Sequence, residues 1–347
     1  MSSDASESPA PAEEDLLAQY RAGRAAVILA ARPDVTRLLV RGRDALDLLH
    51  RLSTNDLKGL REGEGAATVF TTNKGRVLDL VTLHRLPEGL LALCGASRAG
   101  ALRDWIEKYT FREEVSVEDW TASHGTIGLY GPRSGSVVAA LWGPAAAGLP
   151  LHHVAEVPAG DARAHLARAF PIGGDGYLIT APVEALESVR RAALRVDGVR
   201  PVEAQRDCLE VLRIEAGLPV SGRELTEEYN PWEARLQDAI SLDKGCYVGQ
   251  EVVARLHTYK KVSRQLVRIT ARGEPAAPAG EIVVPGAVIL IAGETSGGVT
   301  SGAVVPGSGN QAVALGYVRD EDAVPGRPAQ IERAGRSSPA TIEGVAR

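Results

Sequence analysis

The hydrophobic pattern of the chain changes near Arg264, and this change constrains the fold more than any other feature of the sequence. From there to the C-terminus, short apolar runs alternate with glycine, proline and serine; they occupy residues 264–270, 287–292, 312–318 and 339–345. Short runs separated by turn residues are typical of antiparallel strands, and roughly 80 residues of them suffice for one small barrel. The sequence therefore predicts a C-terminal antiparallel β-barrel.

The residues before this point mix helical and strand patterns. Residues 43–52 and 99–109 have the apolar spacing of helices, whereas 66–72 and 76–86 read as two strands joined by a short loop at 73–75. The loop sequence Asn-Lys-Gly is typical of a β-hairpin connection. Together these patterns predict an α+β body ahead of the barrel.

A chain of 347 residues is too long for one ordinary core, so two or three domains are expected. The predicted parts are a disordered tail and short helix (1–24), a body (25–120 with 200–260), a second α+β domain (121–199) and the barrel (261–347). Residues 144–160, rich in alanine, glycine and proline, are predicted to form a loop.

Composition narrows the functional classes. The chain has 39 basic and 44 acidic residues, a net charge of −5, and no dominant basic stripe, so a dedicated nucleic-acid surface is not indicated. No stretch approaches the roughly 20 apolar residues of a membrane span, and the acidic N-terminus does not resemble a signal peptide. Three cysteines without metal-finger spacing indicate reduced thiols and a cytoplasmic location, and predict no metal site.

The densest chemical pattern surrounds Cys246. It consists of Lys244, Gly245, Cys246, Tyr247, Gly249, Gln250, Glu251 and Arg255. The two glycines allow close approach to the backbone, and a neighbouring ammonium group favours the reactive thiolate. A helix beginning near Tyr247 would act in the same direction through its dipole and would pair Glu251 with Arg255. The alternative is a small cysteine buried in a tight loop.

The other two cysteines have a simpler interpretation. Cys94 lies in a continuous apolar strand, and Cys208 lies on a helix beside Leu209 and Leu212. Both are predicted to be inert core thiols.

Two acidic residues are further candidates. Glu215 ends an apolar helix just before Gly217, where its charge faces the negative end of the helix dipole and calls for a compensating partner. Asp79 lies between apolar residues on a strand and could point inward as an acid–base or amine-binding group. A surface position is the alternative for each residue.

The segment 244–255 resembles the signature of the YgfZ-type folate-binding proteins, whose mitochondrial relatives take part in [4Fe–4S] cluster assembly. Their fold is shared with the T-protein of the glycine cleavage system, a tetrahydrofolate-dependent aminomethyltransferase. The resemblance extends over roughly residues 35–330 and includes IEAGLPVSGREL, from Ile214, and the YGP sequence at 130–132. It implies a three-domain cloverleaf around a central folate channel.

The resemblance also implies roles for individual residues. Tetrahydrofolate would be the cofactor, with Glu215 on the position of the pterin-binding carboxylate and Asp79, Tyr130 and Arg168 as further site residues. Cys246, with Lys244 and Asp79, would supply the chemistry. The chain departs from the T-protein at Leu80, where a second aspartate is usual, and in the segment 168–176.

Three functions follow from these residues. The first is a folate-binding accessory protein that uses Cys246 in assembly, insertion or repair of [4Fe–4S] clusters, with assembly factors or client proteins as partners. The second is a tetrahydrofolate-dependent aminomethyltransferase or demethylase acting on a small amine. The third is a cofactor-free scaffold. The sequence leaves open whether the chain is an enzyme.

Overall fold

The computed structural model describes residues 11–199, 201–259, 261–274 and 278–345. The predicted disordered tail falls largely on residues outside this set. In chain order, the elements up to residue 120 are α1 (Pro11–Ala25), β1 (Ile28–Ala31), β2 (Val35–Arg41), α2 (Ala45–Leu52), β3 (Gly65–Thr71), β4 (Val77–Leu86), β5 (Gly89–Gly95), α3 (Ala99–Lys108) and β6 (Ser116–Asp119).

The middle of the chain continues the mixture of helices and strands. Its elements are β7 (His124–Gly131), α4 (Ser134–Trp142), α5 (Pro144–Ala147), β8 (Val154–Ala159), β9 (Ala162–Arg168), β10 (Asp175–Pro182), α6 (Val183–Leu194), β11 (Val202–Glu203), α7 (Arg206–Glu215) and α8 (Gln250–Tyr259). A short 3₁₀ turn at Gln237–Ala239 lies between the last two helices.

The C-terminal part is almost entirely β-structure. It contains β12 (Arg264–Arg272), α9 (Ala279–Ile282), β13 (Val288–Ile291), β14 (Glu294–Val304), β15 (Gln311–Arg319), β16 (Pro328–Arg333) and β17 (Arg336–Val345), with a 3₁₀ turn at Asp320–Asp322. The strands close into a barrel in the order β12-β15-β14-β13-β16-β17, and β17 pairs with β12. Closure leaves no unpaired edge among these strands. The α+β class and the antiparallel C-terminal barrel are therefore confirmed.

Two sheets precede the barrel. The first has the order β3-β4-β5-β2-β6, and the second has the order β11-β1-β7-β10-β9-β8. Strand β1 pairs with β7, so residues 28–31 belong to the second sheet, although the sequence assigned them to the body segment 25–120. A four-residue strand carries too little pattern to reveal this non-local partner.

The segment 144–160 differs from the predicted loop. It contains the short helix α5 and the strand β8, which pairs with β9 at the edge of the second sheet. Pro158 lies in this strand, and proline is tolerated at a sheet edge because no neighbour there needs its missing N–H group. The loop prediction was wrong because Pro158 and the surrounding small residues weaken the strand pattern.

One apolar cluster lies where the body meets the barrel. Val211 and Ile214 of α7, Val69 of β3 and Leu315 and Tyr317 of β15 all contribute to it and are almost fully buried. Burial of apolar surface contributes about 25 cal/mol per Å² to stability. The cluster therefore stabilises the packing of α7 and β3 against the barrel. Glu215, the first candidate residue, directly follows Ile214 of this cluster on α7.

Candidate functional site

Glu215 ends α7 beside the N-terminal helix. Its Oε1 accepts a hydrogen bond of 2.6 Å from the Tyr20 hydroxyl, and its Oε2 accepts one of 2.9 Å from Arg24 Nη1. The Glu215 side chain is 19% exposed and that of Arg24 is 55% exposed. Both carboxylate oxygens therefore have partners within the chain, which compensate the charge at the negative end of the helix.

The backbone at this helix end is also satisfied. Arg268 of β12 donates a hydrogen bond of 2.6 Å from Nη1 to the carbonyl oxygen of Glu215. A cation is favourable here, because the last carbonyls of a helix lack intrahelical donors. Arg268 thus connects the end of α7 to the barrel and fixes the backbone that carries Glu215.

Half-buried apolar side chains border the junction cluster from four directions. Tyr20 comes from α1, Leu80 from β4, Phe170 from the loop after β9, and Ala303 from β14. Tyr20 joins this border directly to the Glu215 carboxylate. An apolar border with one carboxylate suits a flat heterocycle that carries N–H donors along one edge.

Asp79 is fully buried on β4, which is the inward alternative of the two that the sequence left open. Its carboxylate accepts hydrogen bonds from the Ser221 hydroxyl and from the backbone N–H groups of Leu80 and Gly95, the latter two at 2.9 Å. Burial raises the pKa of Asp79 to about 6, although these hydrogen bonds act in the opposite direction. The carboxyl therefore takes up its proton at a higher pH than an ordinary aspartate does.

A cavity of about 390 Å³ begins next to the Asp79 partner. Gly222 and Arg223, which follow Ser221, line it on the body side, and Gly298 and Thr300 of β14 line it on the barrel side. The guanidinium of Arg223 contacts Glu210. The two residues that follow Ser221 in sequence therefore face an open volume between the body and the barrel.

Tyr130 and Arg168 occupy different environments. Tyr130 is 1% exposed and its hydroxyl accepts a hydrogen bond from Arg32, so it is a core residue and cannot reach a ligand at the surface. Arg168 is partly exposed, contacts Asp175 and Tyr177, and lines a second cavity of about 510 Å³. A ligand at the surface could therefore contact Arg168 but not Tyr130.

Cys246 is exposed, whereas Cys94 and Cys208 are buried. Burial raises the pKa of the Cys94 thiol well above its usual range and that of Cys208 to about 12. The interpretation of the latter two as core residues is confirmed, and the alternative of a buried Cys246 is excluded. Cys246 is therefore the accessible thiol of the chain.

Lys244 does not direct its ammonium group at the thiol. Its Nζ donates to the backbone carbonyls of His50, Ser53 and Asn55 at 2.6, 2.8 and 2.6 Å. An ammonium group has three N–H bonds, and all three have acceptors here, so none remains for Cys246. Burial lowers the pKa of Lys244 to about 8. The sequence predicted that the charge of Lys244 favours the Cys246 thiolate, but the three hydrogen bonds direct this ammonium group to the end of α2 instead.

The helix after Cys246 begins later than the sequence indicated. Helix α8 starts at Gln250, and Gly249 before it has φ +86°, a left-handed conformation that ends the preceding segment. A Cβ atom at Gly249 would lie 2.6 Å from the carbonyl oxygen of Thr72. Cys246 therefore lies four positions ahead of the helix, outside the reach of its dipole.

The remaining residues of the segment 244–255 differ in burial. Tyr247 is buried, with its ring centroid 5.2 Å from Lys244 Nζ. Gly245, Glu251 and Arg255 are exposed. Within the described ranges, no ion pair joins the two charged residues, so the predicted pairing along α8 does not form.

Two features are absent from the described part of the chain. It contains no group of three or more histidine, cysteine, aspartate or glutamate side chains that could hold a metal ion. None of its helices combines the length and apolar character needed to cross a membrane.

Sequence reasoning missed three residues of these sites. Tyr20 and Arg24 contact Glu215 across more than 190 positions, and Ser221 contacts Asp79 across 142. The first two lie one turn apart on α1, and this i,i+4 spacing was the available indication of a common polar face. Nothing in the local sequence identified Ser221 as the partner of an aspartate.

An α+β body followed by a closed antiparallel six-stranded barrel defines the structural class of this protein. Residues 7–244 match the family model described as the GCVT N-terminal domain, and residues 264–345 match the glycine cleavage T-protein C-terminal barrel domain. The chain belongs to the glycine cleavage T-protein family, a tetrahydrofolate-using superfamily of aminomethyltransferase-like proteins.

Several known proteins are similar over most of the chain. An aminomethyltransferase of Saccharopolyspora erythraea is 28% identical over 331 residues, which cover 94% of this chain and 88% of that protein. A chloroplastic protein of Arabidopsis thaliana, named as a candidate transferase, is 29% identical over 83% of this chain, but this chain covers only 64% of its length.

One solved structure supports the fold. The glycine cleavage system aminomethyltransferase T of Bartonella henselae superposes with a TM-score of 0.78 at 23% identity, covering 96% of this chain and 91% of that one. At this identity the likeness establishes the architecture and not the reaction.

Proposed function

We propose that this chain is a cytoplasmic, YgfZ-type, tetrahydrofolate-binding accessory protein that acts in assembly, insertion or repair of [4Fe–4S] clusters through Cys246. The observation that carries the proposal is the contrast between its two chemical groups. Cys246 is exposed, whereas Asp79 is fully buried and accepts three hydrogen bonds. This contrast favours chemistry at the thiol over acid–base chemistry on an amine substrate.

The residues around Glu215 fit a bound pterin. The carboxylate of Glu215 would accept two N–H donors from the pterin edge once Arg24 gives way, while Leu80 and Phe170 would contact the ring. Tetrahydrofolate, when bound, would supply one-carbon or reducing chemistry. The chain itself supplies a carboxylate and an apolar border.

Cys246 would act together with a partner protein. A [4Fe–4S] cluster takes about four protein ligands, usually cysteine thiolates. The other two cysteines are buried, and the described residues contain no further group suited to a metal. The remaining ligands would therefore come from the assembly factor or client that carries the cluster as cargo, with Cys246 as one exposed ligand or redox-active thiol.

A second function is favoured by the names of the relatives, several of which are aminomethyltransferases. It would place acid–base chemistry at Asp79, whose pKa of about 6 lies near neutral pH. Reconstitution with the other glycine cleavage components and tetrahydrofolate separates the two functions. Methylene-tetrahydrofolate formation at an enzyme-like rate would support the transferase and contradict the accessory role.

The accessory role is tested in a strain that lacks the gene. Activities of several [4Fe–4S] enzymes are measured after complementation with the wild type, Cys246→Ser and Glu215→Gln. We expect the wild type to restore activity, Cys246→Ser to fail, and Glu215→Gln to give a partial defect. Cys208→Ala is the matched control, because it removes a buried thiol. Full complementation by Cys246→Ser would contradict the proposal.

A further inference from the structure

The carbonyl oxygens that surround Lys244 Nζ come from the end of α2 and the residues after it. His50 lies in the last turn of this helix, Ser53 directly follows it, and Asn55 lies two residues further on. Carbonyls at a helix C-terminus lack intrahelical donors and carry partial negative charge. We refer to these three carbonyls as the α2 cage.

The α2 cage explains why a lysine is buried at this position. Lys244 is only 8% exposed, and a buried ammonium group needs its hydrogen bonds satisfied. The three carbonyls match its three donors in number, and all three contacts are short, as expected for hydrogen bonds from a charged donor. An apolar side chain of the same length would leave all three acceptors without this donor.

The same segment is attached again beyond Cys246. The N–H group of Val248 donates to the carbonyl of Arg51 at 3.0 Å, and the Val248 carbonyl accepts from the Thr71 hydroxyl at 2.7 Å. Cys246 thus lies between two anchors, both of which contact the end of α2. The intervening Gly245 gives no support, since a Cβ atom built there meets no atom within 4 Å.

We propose that Lys244 is a positioning residue, whose ammonium group fixes the exposed Cys246 thiol relative to the end of α2 through the α2 cage. This role rests on the proposed function only for the reason why the thiol has to be held in one place. The positioning itself can be measured in the isolated protein. It assigns Lys244 to the architecture of the segment rather than to proton transfer.

The experiment follows a nitroxide label on Cys246. Because Cys94 and Cys208 are buried, a thiol reagent labels Cys246 selectively in the folded protein. Electron paramagnetic resonance then reports label mobility in the wild type, Lys244→Met, Lys244→Arg and Lys244→Ala. Lys58→Met is the matched control, since Lys58 also contacts α2, through Asp47 in its first turn, but is 64% exposed. Circular dichroism confirms that each variant is folded.

We expect Lys244→Met and Lys244→Ala to mobilise the label severalfold, Lys244→Arg to give an intermediate spectrum, and Lys58→Met to match the wild type. Adding methylammonium to Lys244→Ala should restore the immobilised spectrum, which a general loss of stability would not allow. If Lys244→Met does not fold, the arginine variant provides the comparison. An unchanged spectrum in a folded Lys244 variant, or mobility that methylammonium leaves unaltered, would overturn the proposal. Failure of complementation by Cys246→Ser tests the function separately.

Discussion

The hydroxyl group of Tyr20 donates a hydrogen bond of 2.6 Å to Glu215 Oε1, although 195 positions separate the two residues. Burial and this carboxylate together raise the pKa of Tyr20 to about 12, so the phenol remains a donor across the physiological range. With Arg24 on the other oxygen, helix α1 engages the carboxylate that the resemblance assigns to the pterin. A pterin that binds at Glu215, as proposed, would therefore compete with the contacts that attach α1 to this carboxylate.

The first prediction concerns Glu215→Gln. An amide accepts at one oxygen only and turns a donor toward the ligand, so we expect tetrahydrofolate affinity to fall roughly ten- to a hundredfold, or about 1.5–3 kcal/mol. Isothermal titration calorimetry provides the measurement. Unchanged affinity would remove Glu215 from the binding site.

The second prediction concerns Arg24→Met. The exposed guanidinium competes with a ligand for Glu215 Oε2, and its removal keeps a side chain of similar length. We expect tetrahydrofolate to bind up to about tenfold more tightly, because one net hydrogen bond of about 1 kcal/mol no longer has to be broken. Arg21→Met, on the same helix, is the control in calorimetry. Weaker binding would show that Arg24 supports the ligand instead.

The third prediction follows from the raised pKa of Asp79. Its pKa is about 6 in the folded protein against an ordinary value of 3.8, so the folded protein binds more protons than the unfolded chain between these values. Stability therefore falls as pH rises through this window, by about 3 kcal/mol for this group. Urea unfolding of the wild type and Asp79→Asn from pH 3.5 to 7 measures it. The stability difference between the two proteins should change by this amount, and a constant difference would refute the assignment.

The fourth prediction concerns Glu224, which connects the loop after α7 to the barrel. It is fully buried and accepts hydrogen bonds from Thr300 and Ser301 at 2.7 and 2.6 Å, with Arg213 Nη1 at 3.3 Å. Glu224→Leu leaves a buried cation and two hydroxyls with fewer partners, so we expect a loss of about 3–5 kcal/mol in denaturant unfolding. Glu281→Leu, from an exposed ion pair, should cost under about 1 kcal/mol. Equal costs would contradict the prediction.

Local patterns were sufficient for much of the fold. The alternating runs after Arg264 predicted the barrel because each inward side chain there packs on a closed core, as the near-complete burial of Ile289 and Ile331 shows. The hairpin at 73–75 was predicted from its turn residues. The strand β8 was missed because it lies at a sheet edge and contains Pro158.

The sites were less predictable, because tertiary contacts overrode the local pattern. The helix expected from Tyr247 begins only at Gln250, since Val248 bonds to Arg51 and Thr71 instead of entering the helix. Lys244 was expected to act on its neighbour in sequence, yet its ammonium group binds carbonyls almost 200 positions away. The sequence left open whether Asp79 and Cys246 are buried or exposed, and it did not indicate the partners of Asp79.

The last prediction is that Cys246 reacts first and is needed for function but not for folding. Iodoacetamide should modify it well before the buried Cys94 and Cys208, as mass spectrometry of the native protein would show. Cys246→Ser is nearly isosteric at an exposed position, so its unfolding midpoint and tetrahydrofolate affinity should match the wild type within about 0.5 kcal/mol. The Cys246→Ser variant should nevertheless fail to restore [4Fe–4S] enzyme activity in the deletion strain. Reaction of Cys246 only after denaturation, or full complementation by the serine variant, would make this residue part of the scaffold.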